Sequence, residues 1–259
     1  MTGFLPIPEI GLSSKNIDSQ SAAVPEPRRW PRPLVAVDVA AFSVLESDCK
    51  LLLIRRGIPP QQSTLALPGG FVRCAAVDDA DAGVADQGED LSAAAARELF
   101  EETRVTASRL VQVKAFSAPF RDPRTRVISV AFLTVVRPEV AAFVRAGSDA
   151  ASVRWFSVRE LDKVTLAFDH NEIARVCLER LRQDVELGRH DLLREMVPQV
   201  FSMAELRATI DAVSARRSDP GNFRRHFVRW VDDGAIVAAA GQRVTGTKPA
   251  RVWSYPGPR

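Results

Sequence analysis

From residue 34 onward the chain alternates apolar stretches with short polar segments. The runs LVAVDVAAFSVL (34–45) and LLLIRR (51–56) are apolar and partly β-branched, and the polar turn ESDCK separates them, which predicts a strand pair. Three further strands are predicted for LVQVKAFSAPF (110–120), VISVAFLTVV (127–136) and VRWFSV (153–158). The segment before them, LALPGGFV, ends in a Gly-Gly turn.

Two stretches between and after these strands have helical periodicity instead. Residues 90–103 are rich in alanine, with Leu91, Ala95 and Leu99 along one side. HNEIARVCLERLRQDVELG (170–188) is a long amphipathic pattern. Strands, a helix, a return through more strands and a closing helix predict an α/β fold, with a mixed sheet sandwiched between helices.

The composition changes after residue 188. SMAE (202–205) is a capping box that opens one helix, and SDP (218–220), with proline in the first turn, opens another. Two apolar segments follow, 235–240 and 251–255, joined by the polar loop GQRVTGTKPA. A helix, a short turn, a helix and a two-stranded ribbon predict a winged helix-turn-helix.

These patterns divide the chain into a proline-rich leader (1–33), an α/β segment (34–188) and a winged helix-turn-helix segment (189–259). The three cysteines are scattered without a CxxC pair, so neither a disulfide framework nor a zinc site is predicted, and we expect a reducing cytoplasm. The longest apolar run, 128–136, is far shorter than the roughly 20 residues of a membrane helix. No signal peptide is expected.

Charge is distributed unevenly along the chain. From Gly188 to the end there are 12 Lys+Arg against 7 Asp+Glu, whereas the rest of the chain has 23 against 25. The net charge of +3 therefore comes from the last third of the sequence. Such a surplus favours contact with a nucleic acid, although a solvated basic surface would look the same.

The second helix of this basic segment has two distinct faces. Phe223, Phe227, Trp230 and Val231 fall within about 100° on a helical wheel and predict a stripe facing the core. The opposite face is polar and basic, which suits the major groove, where arginine reads guanine and asparagine reads adenine. The alternative is an ordinary packed helix with a basic exterior. The residues predicted to contact DNA are Arg216, Arg217, Asn222, Arg224, Arg225, His226, Arg229, Arg243 and Lys248.

Three carboxylates share one face of the helix predicted at 90–103. Glu98, Glu101 and Glu102 fall within about 100° of one another. Clustered oxygens of this kind can hold Mg²⁺ beside a pyrophosphate, and Arg97 could brace one carboxylate. The alternative is a solvated charged face.

The segments LPGGFV and GEDLSAAAARELFEET together resemble the signature of the Nudix hydrolases, a loop-helix-loop that binds metal and pyrophosphate. The residues that fit it are Glu89, Arg97, Glu98, Leu99, Glu101, Glu102 and Val105. In the family, five residues separate the signature glycine from the first glutamate, but here Gly70 lies nineteen positions before Glu89. The acidic, alanine-rich insert 74–86 intervenes, and Gly83 restores the formal spacing.

Two other positions depart from the family pattern. Arg73 stands where many members have an acidic residue after the turn. Arg104 replaces the glycine that ends the helix, usually in a left-handed conformation. The resemblance still implies metal binding, but these departures weaken the expectation of efficient catalysis.

The resemblance continues into AFSAPFRDPRTRVISVAFLTVV, which is similar to a segment of ADP-ribose-type Nudix proteins whose loop arginines reach phosphate or ribose. The predicted effector-binding residues are Arg55, Arg56, Arg97, Arg121, Arg124 and Arg126. For each loop arginine, plain solvation is the alternative. His170 is expected either to face this pocket or to be structural.

Over residues 34–256 the chain resembles the Nudix-related transcriptional regulators of NAD metabolism, with SDPGNFRRHFVRW as the matching run in the winged helix. The resemblance implies a homodimeric repressor that binds a near-palindromic DNA operator ahead of NAD biosynthesis or salvage genes. It also implies that ADP-ribose or a related nucleotide releases the DNA. Two alternatives are a Mg²⁺-dependent ADP-ribose pyrophosphatase with an accessory domain and a nucleotide sensor whose tail docks another protein.

Overall fold

The computed structural model describes residues 32–74, 88–144, 146, 150–245 and 248–257, without the side chains of 150, 151, 244, 245 and 248. All but the last two residues of the predicted leader lie outside this description, as do Gly83 and all of the predicted insert except Cys74. From Pro33 onward the chain forms one compact unit.

A mixed sheet of seven strands lies at the centre of the described residues. Its strands are β1 (Leu34–Leu45), β2 (Asp48–Arg56), β3 (Leu65–Ala66), β4 (Gly69–Phe71), β5 (Val111–Phe116), β6 (Val127–Val135) and β7 (Ala150–Ser157). The main order is β3-β2-β1-β6-β5, with β4 paired to β1 and β7 paired to β2. β1 and β6 run parallel and the other pairs antiparallel, which confirms the predicted mixed sheet.

Helices cover both faces of the sheet. The helices are α1 (Leu91–Thr103), α2 (Pro138–Ala141), a 3₁₀ turn (Val158–Lys163), α3 (His170–Glu186), α4 (His190–Met196), α5 (Met203–Ser214) and α6 (Pro220–Asp232). Alternate residues of β1 face opposite sides, so Val37 packs in the α1 layer and Phe42 in the α3 layer. Burial on both sides explains why β1 is almost continuously apolar.

The C-terminal part has the element order of a winged helix-turn-helix. Strands β8 (Phe201–Ser202), β9 (Val237–Thr245) and β10 (Lys248–Ser254) form a sheet in the order β8-β10-β9. The capping box at Ser202 is confirmed: its backbone N–H donates to Glu205 at 2.7 Å, and its hydroxyl accepts from the Glu205 N–H at 3.2 Å. Asp219 caps α6 by accepting the Asn222 N–H at 2.8 Å.

Two features of this part differ from the prediction. The expected polar loop 241–250 is mostly strand, because an exposed antiparallel ribbon needs no apolar face to pair its backbone. The sequence predicted a helix that ends at about residue 188 and no helix before Ser202, but residues 190–196 form the short helix α4.

The sandwich and the winged helix share apolar packing. Leu192, Leu193 and Met196 of α4 and Ala212 and Val213 of α5 belong to the same buried cluster as α3 and one face of the central sheet. A separate cluster holds the winged helix together; its buried members are Val197, Phe201, Leu206, Phe223, Phe227 and Ile236. The apolar core therefore continues past residue 188, and a domain boundary there stays a prediction.

Candidate functional site

The Gly-Gly turn lies directly on the carboxylate face of α1. The N–H of Gly69 donates to Glu102 Oε2 at 2.9 Å. A Cβ at Gly70 would lie 2.4 Å from Glu98 Oε1, so any side chain there would displace this carboxylate. A glycine at position 70 lets the turn approach the helix face this closely without moving the Glu98 side chain.

Arg97 ties together three carboxylates, where the sequence predicted that it could brace one. Its Nε and Nη2 atoms donate to Glu89 at 2.9 and 2.5 Å, and Nη1 donates to Glu98 at 2.7 Å and to Glu101 at 3.1 Å. The hydrogen bond from Arg97 lowers the pKa of Glu89 to about 2. Burial raises the pKa of Glu98 despite the same neighbour. Arg97 therefore holds the loop and the helix of the motif in one network.

The backbone closes across the insert. The Arg73 N–H donates to Glu89 Oε1 at 2.8 Å, and the Glu89 N–H donates to the Arg73 carbonyl at 3.0 Å. If 75–87 are left out, the nineteen positions from Gly70 to Glu89 shrink to six, the spacing of the family signature. Gly70 therefore occupies the place of the signature glycine in space.

The carboxylates, as they are placed, do not fit a divalent cation. Among the described residues, no group of three or more His, Cys, Asp or Glu side chains is arranged to hold a metal ion. The Glu101 carboxylate instead accepts hydrogen bonds from two guanidinium groups, Arg97 at 3.1 Å and Arg73 at 3.2 Å. Mg²⁺ binding by Glu98, Glu101 and Glu102 stays a prediction.

Arg104 adopts the backbone conformation that the family gives to glycine. As the C-cap of α1 it is left-handed, with φ 60° and ψ 18°, and its N–H donates to the Phe100 carbonyl at 2.9 Å. Its guanidinium lies 5.4 Å from the centre of the Phe100 ring. The helix thus ends at the predicted place with a conformation that costs arginine more than glycine.

A cleft opens beside the Gly-Gly turn, and three of the predicted effector-binding residues line it: Arg56, Arg121 and Arg124. Phe71 and Phe168 contribute aromatic walls. Arg56 stacks 5.0 Å from the Phe168 ring, and Arg124 stacks 5.4 Å from the Phe71 ring. Aromatic faces beside guanidinium groups suit a nucleotide, which has a flat base and anionic phosphates.

The other three predicted effector-binding residues do not line this cleft. Arg55 donates to the Ser63 carbonyl at 2.5 Å. Arg126 is exposed, and its carbonyl accepts the Leu34 N–H at 2.9 Å. Arg97 lies in the carboxylate network. Their roles in binding stay predictions.

Arg56 and Arg124 form the positive part of the cleft. Asp122 holds Arg124 through both Nε and Nη2, at 3.0 and 2.7 Å, and this side-chain contact lowers the pKa of Asp122. Burial, followed by the charge of Arg124, lowers the pKa of Arg56. Two guanidinium groups that repel each other favour an anion between or beside them.

Beneath the cleft, buried charges form a second network. Arg121 donates to both oxygens of Asp169, at 2.8 and 2.5 Å, and lies 3.5 Å from Asp38. His170 Nδ1 accepts the Leu67 N–H at 3.0 Å, so its proton is on Nε2, 3.3 Å from Asp38. Burial lowers the pKa of His170, so the ring is neutral. His170 is thus both at the pocket and structural.

Sequence reasoning missed several of these residues. Asp38 and Asp122 are buried, and Phe71 and Phe168 line the cleft. Asp38 had a usable signal, because it is a single carboxylate inside the apolar strand LVAVDVAAF. Nothing in the sequence marks Phe71 and Phe168 as cleft residues, since apolar residues near turns are common.

Helix α3 connects this cleft to the winged helix. Its first residue, His170, and its N-cap, Asp169, belong to the buried network. Near its other end, Arg182 Nε donates to the Val213 carbonyl at 3.1 Å, and Glu186 pairs with Arg216 in the turn before α6. One helix therefore touches both the cleft and the helix-turn-helix.

The predicted DNA-contacting face of α6 is exposed. Phe223 and Phe227 are buried beneath it, as the helical wheel predicted. All the predicted DNA-contacting residues on this helix reach solvent: Asn222, Arg224, Arg225, His226 and Arg229. The Arg225 guanidinium donates to the Asn222 side chain. This face has the basic and amide groups that contact phosphates and base edges.

The remaining predicted DNA contacts surround α6 less uniformly. Arg217 is exposed in the turn, whereas Arg216 is held by Glu186. Arg243 on the ribbon donates to Glu205 at 2.6 Å. The Lys248 side chain lies outside the described residues. Arg251, which is not among the predicted contacts, is also exposed on the ribbon and lies 4.6 Å from the Trp253 ring.

Known proteins resemble this chain both in the sandwich and over nearly its whole length. The family model described as NUDIX domain matches residues 35–181. An ADPR responsive transcriptional repressor NtrR from Acinetobacter baylyi is 26% identical over 93% of this chain and 90% of the relative. An ADP-ribose pyrophosphatase from Methanocaldococcus jannaschii is 36% identical over 57% of this chain and 75% of the relative.

Solved structures show the same fold. The crystal structure of Shewanella oneidensis NrtR complexed with a 27mer DNA has a TM-score of 0.67 at 22% identity, covering 86% of this chain and 93% of that one. A MutT/nudix family protein from Enterococcus faecalis has a TM-score of 0.67 at 24% identity, with 89% of each chain covered. No helix in the described part of the chain is both long and apolar enough to cross a membrane.

Proposed function

The chain belongs to the NUDIX domain family, and from this premise we propose that it is a DNA-binding transcriptional repressor released by ADP-ribose or a related nucleotide. The observation that carries the proposal is the exposed basic face of α6, joined through α3 to a cleft lined by guanidinium groups and aromatic rings. The end-to-end similarity to an ADPR responsive repressor supports this function over hydrolysis. The regulated genes would belong to NAD biosynthesis or salvage.

The repressor would act as a homodimer on a near-palindromic operator. Two α6 helices can enter successive major grooves only if they lie about 34–36 Å apart, one turn of the double helix. Nucleotide bound in the cleft of each copy would change this separation through α3. Such a regulator works where the DNA is, in the cytoplasm expected from the sequence.

Gel-shift titration of the full chain with its own upstream DNA tests the proposal. We expect retardation that ADP-ribose abolishes, and we expect Arg225→Ala to weaken specific binding by about 1 to 3 kcal/mol if Arg225 reads a base. Arg159→Ala, an exposed arginine beside Asp48, is the matched control and should bind as the wild type does. No sequence-selective shift, or one indifferent to ADP-ribose, would contradict the proposal.

A second candidate function is hydrolysis of ADP-ribose. It is favoured by the 36% identity to an ADP-ribose pyrophosphatase and by the match of Glu98, Glu101 and Glu102 to the family signature. Mg²⁺ would then be its cofactor, although the carboxylates as placed do not form a ready metal site. Product formation from ADP-ribose and Mg²⁺ in the gel-shift samples, compared with Glu101→Gln, decides between the two.

A further inference from the structure

Arg73 is the loosely held member of the two arginines on the carboxylate face. Its Nη2 makes one ion pair, with Glu101 at 3.2 Å, and 64% of its side chain is exposed. Arg97, by contrast, is 16% exposed and contacts three carboxylates. An exposed single ion pair contributes little to stability, so Arg73 can exchange its partner at small cost.

The cleft and the carboxylate face share a wall at Gly70, which lines the cleft and touches Glu98. An anionic pyrophosphate near this wall would meet the carboxylates of α1, and it therefore needs additional positive charge. Hydrolases of this type obtain that charge from a divalent cation. Here Glu101, one of the residues expected to hold the cation, already accepts hydrogen bonds from two guanidinium groups.

We propose that Arg73 is an effector-binding residue that supplies this charge in place of a metal ion. On nucleotide binding, its guanidinium moves from Glu101 to the pyrophosphate oxygens, whose geometry matches its donors. Effector binding is then independent of divalent cations. The inference rests on the proposed function, because it assumes that the cleft takes an ADP-ribose-type nucleotide.

Calorimetric titration of the full-length protein with ADP-ribose tests the proposal in two buffers, one with EDTA and one with Mg²⁺. We expect the wild type to bind equally well in both. Arg73→Ala should bind about tenfold more weakly in EDTA, the loss of one charge-assisted hydrogen bond. Mg²⁺ should restore part of this loss, because the variant leaves Glu101 with one guanidinium partner, Arg97, instead of two. The affinity of Arg73→Lys in EDTA should fall between those of the wild type and Arg73→Ala, because lysine keeps the positive charge but cannot donate two parallel hydrogen bonds as a guanidinium does.

The matched control is Arg109→Ala, which removes another exposed arginine, one that pairs with Asp191 at 2.8 Å away from the cleft. It should bind as the wild type does in both buffers. Wild-type binding that requires Mg²⁺, or Arg73→Ala that binds normally in EDTA, would overturn the role of Arg73 while leaving the proposed function intact. A wild type that does not bind ADP-ribose in either buffer would overturn both.

Discussion

At the scale of single residues, Arg104 has a left-handed backbone conformation that is unfavourable for a residue with a side chain. A left-handed conformation costs a non-glycine residue about 1–2 kcal/mol, while glycine loses about 0.4–1 kcal/mol through its freer unfolded chain. We therefore expect Arg104→Gly to stabilise the protein by about 0.5–1 kcal/mol. Urea denaturation should show a higher midpoint with an unchanged slope. Arg104→Ala keeps the strain and should not stabilise; a less stable glycine variant would refute the interpretation.

His170 makes a second prediction at this scale. Burial lowers its pKa below the ordinary value of 6.5, so the unfolded chain binds the proton more readily than the folded one. Stability should be complete above pH 6.5 and decrease as the pH falls below it, toward the folded-state pKa. Asp38 and Asp169 oppose this shift, and Arg121 and Arg56 add to it.

Urea unfolding at several pH values between 5 and 8 measures this dependence. His170→Gln keeps an acceptor for the Leu67 N–H and a donor for Asp38, but it cannot be protonated in this range. We expect it to reduce the loss of stability at low pH. His226→Gln, which removes an exposed ring on α6, is the control and should keep the wild-type slope. An unchanged slope in His170→Gln would contradict the prediction.

At the scale of elements, residues 75–87 can be deleted from the segment before α1 without moving the residues on either side. A Cβ at Gly88 would lie 2.8 Å from the Cα of Cys74, so the two residues that flank 75–87 are close enough to be joined by a peptide bond. We expect deletion of 75–87 to change stability by no more than about 1 kcal/mol, since the number of residues that join two fixed ends has a weak effect on the entropy of closing the chain. ADP-ribose affinity should stay unchanged by calorimetry.

A deletion of equal length that removes 76–88 is the control. It replaces Gly88, whose φ is +94°, with Ala75, and we expect it to lose stability because only glycine adopts that conformation readily. If both deletions behave alike, the register deduced from the Arg73–Glu89 contacts is wrong.

The elements also show where sequence patterns are sufficient. Strands β1, β2 and β6 and helices α1, α3, α5 and α6 follow from apolar periodicity and capping residues, because those signals are local. The ribbon was longer than predicted, since its pairing is made by the backbone. At the site, the carboxylates and Arg97 were found from spacing. The Asp38–His170 contact joins residues far apart in the chain, and no local pattern encodes it.

At the scale of the whole molecule, the shared core makes one body of the sandwich and the C-terminal elements α4 and α5. Burying a leucine or methionine side chain is worth about 1.5–3 kcal/mol, so Leu192, Leu193 and Met196 contribute roughly 5–9 kcal/mol. This is comparable to the total stability of a typical protein, about 5–15 kcal/mol. A cut at residue 188 would therefore expose a face that the sandwich needs covered.

The same packing limits how such a chain can be recombined. A chimera that keeps residues 34–188 and receives a foreign DNA-reading module must also receive substitutes for the apolar side chains that α4 and α5 place against α3. A flexible tether to an unrelated module would not supply them. The unit that a chimera has to keep intact is therefore the sandwich together with α4 and α5. Under the proposed function, a different operator preference would be sought by changing the exposed residues of α6 and keeping the rest of the chain.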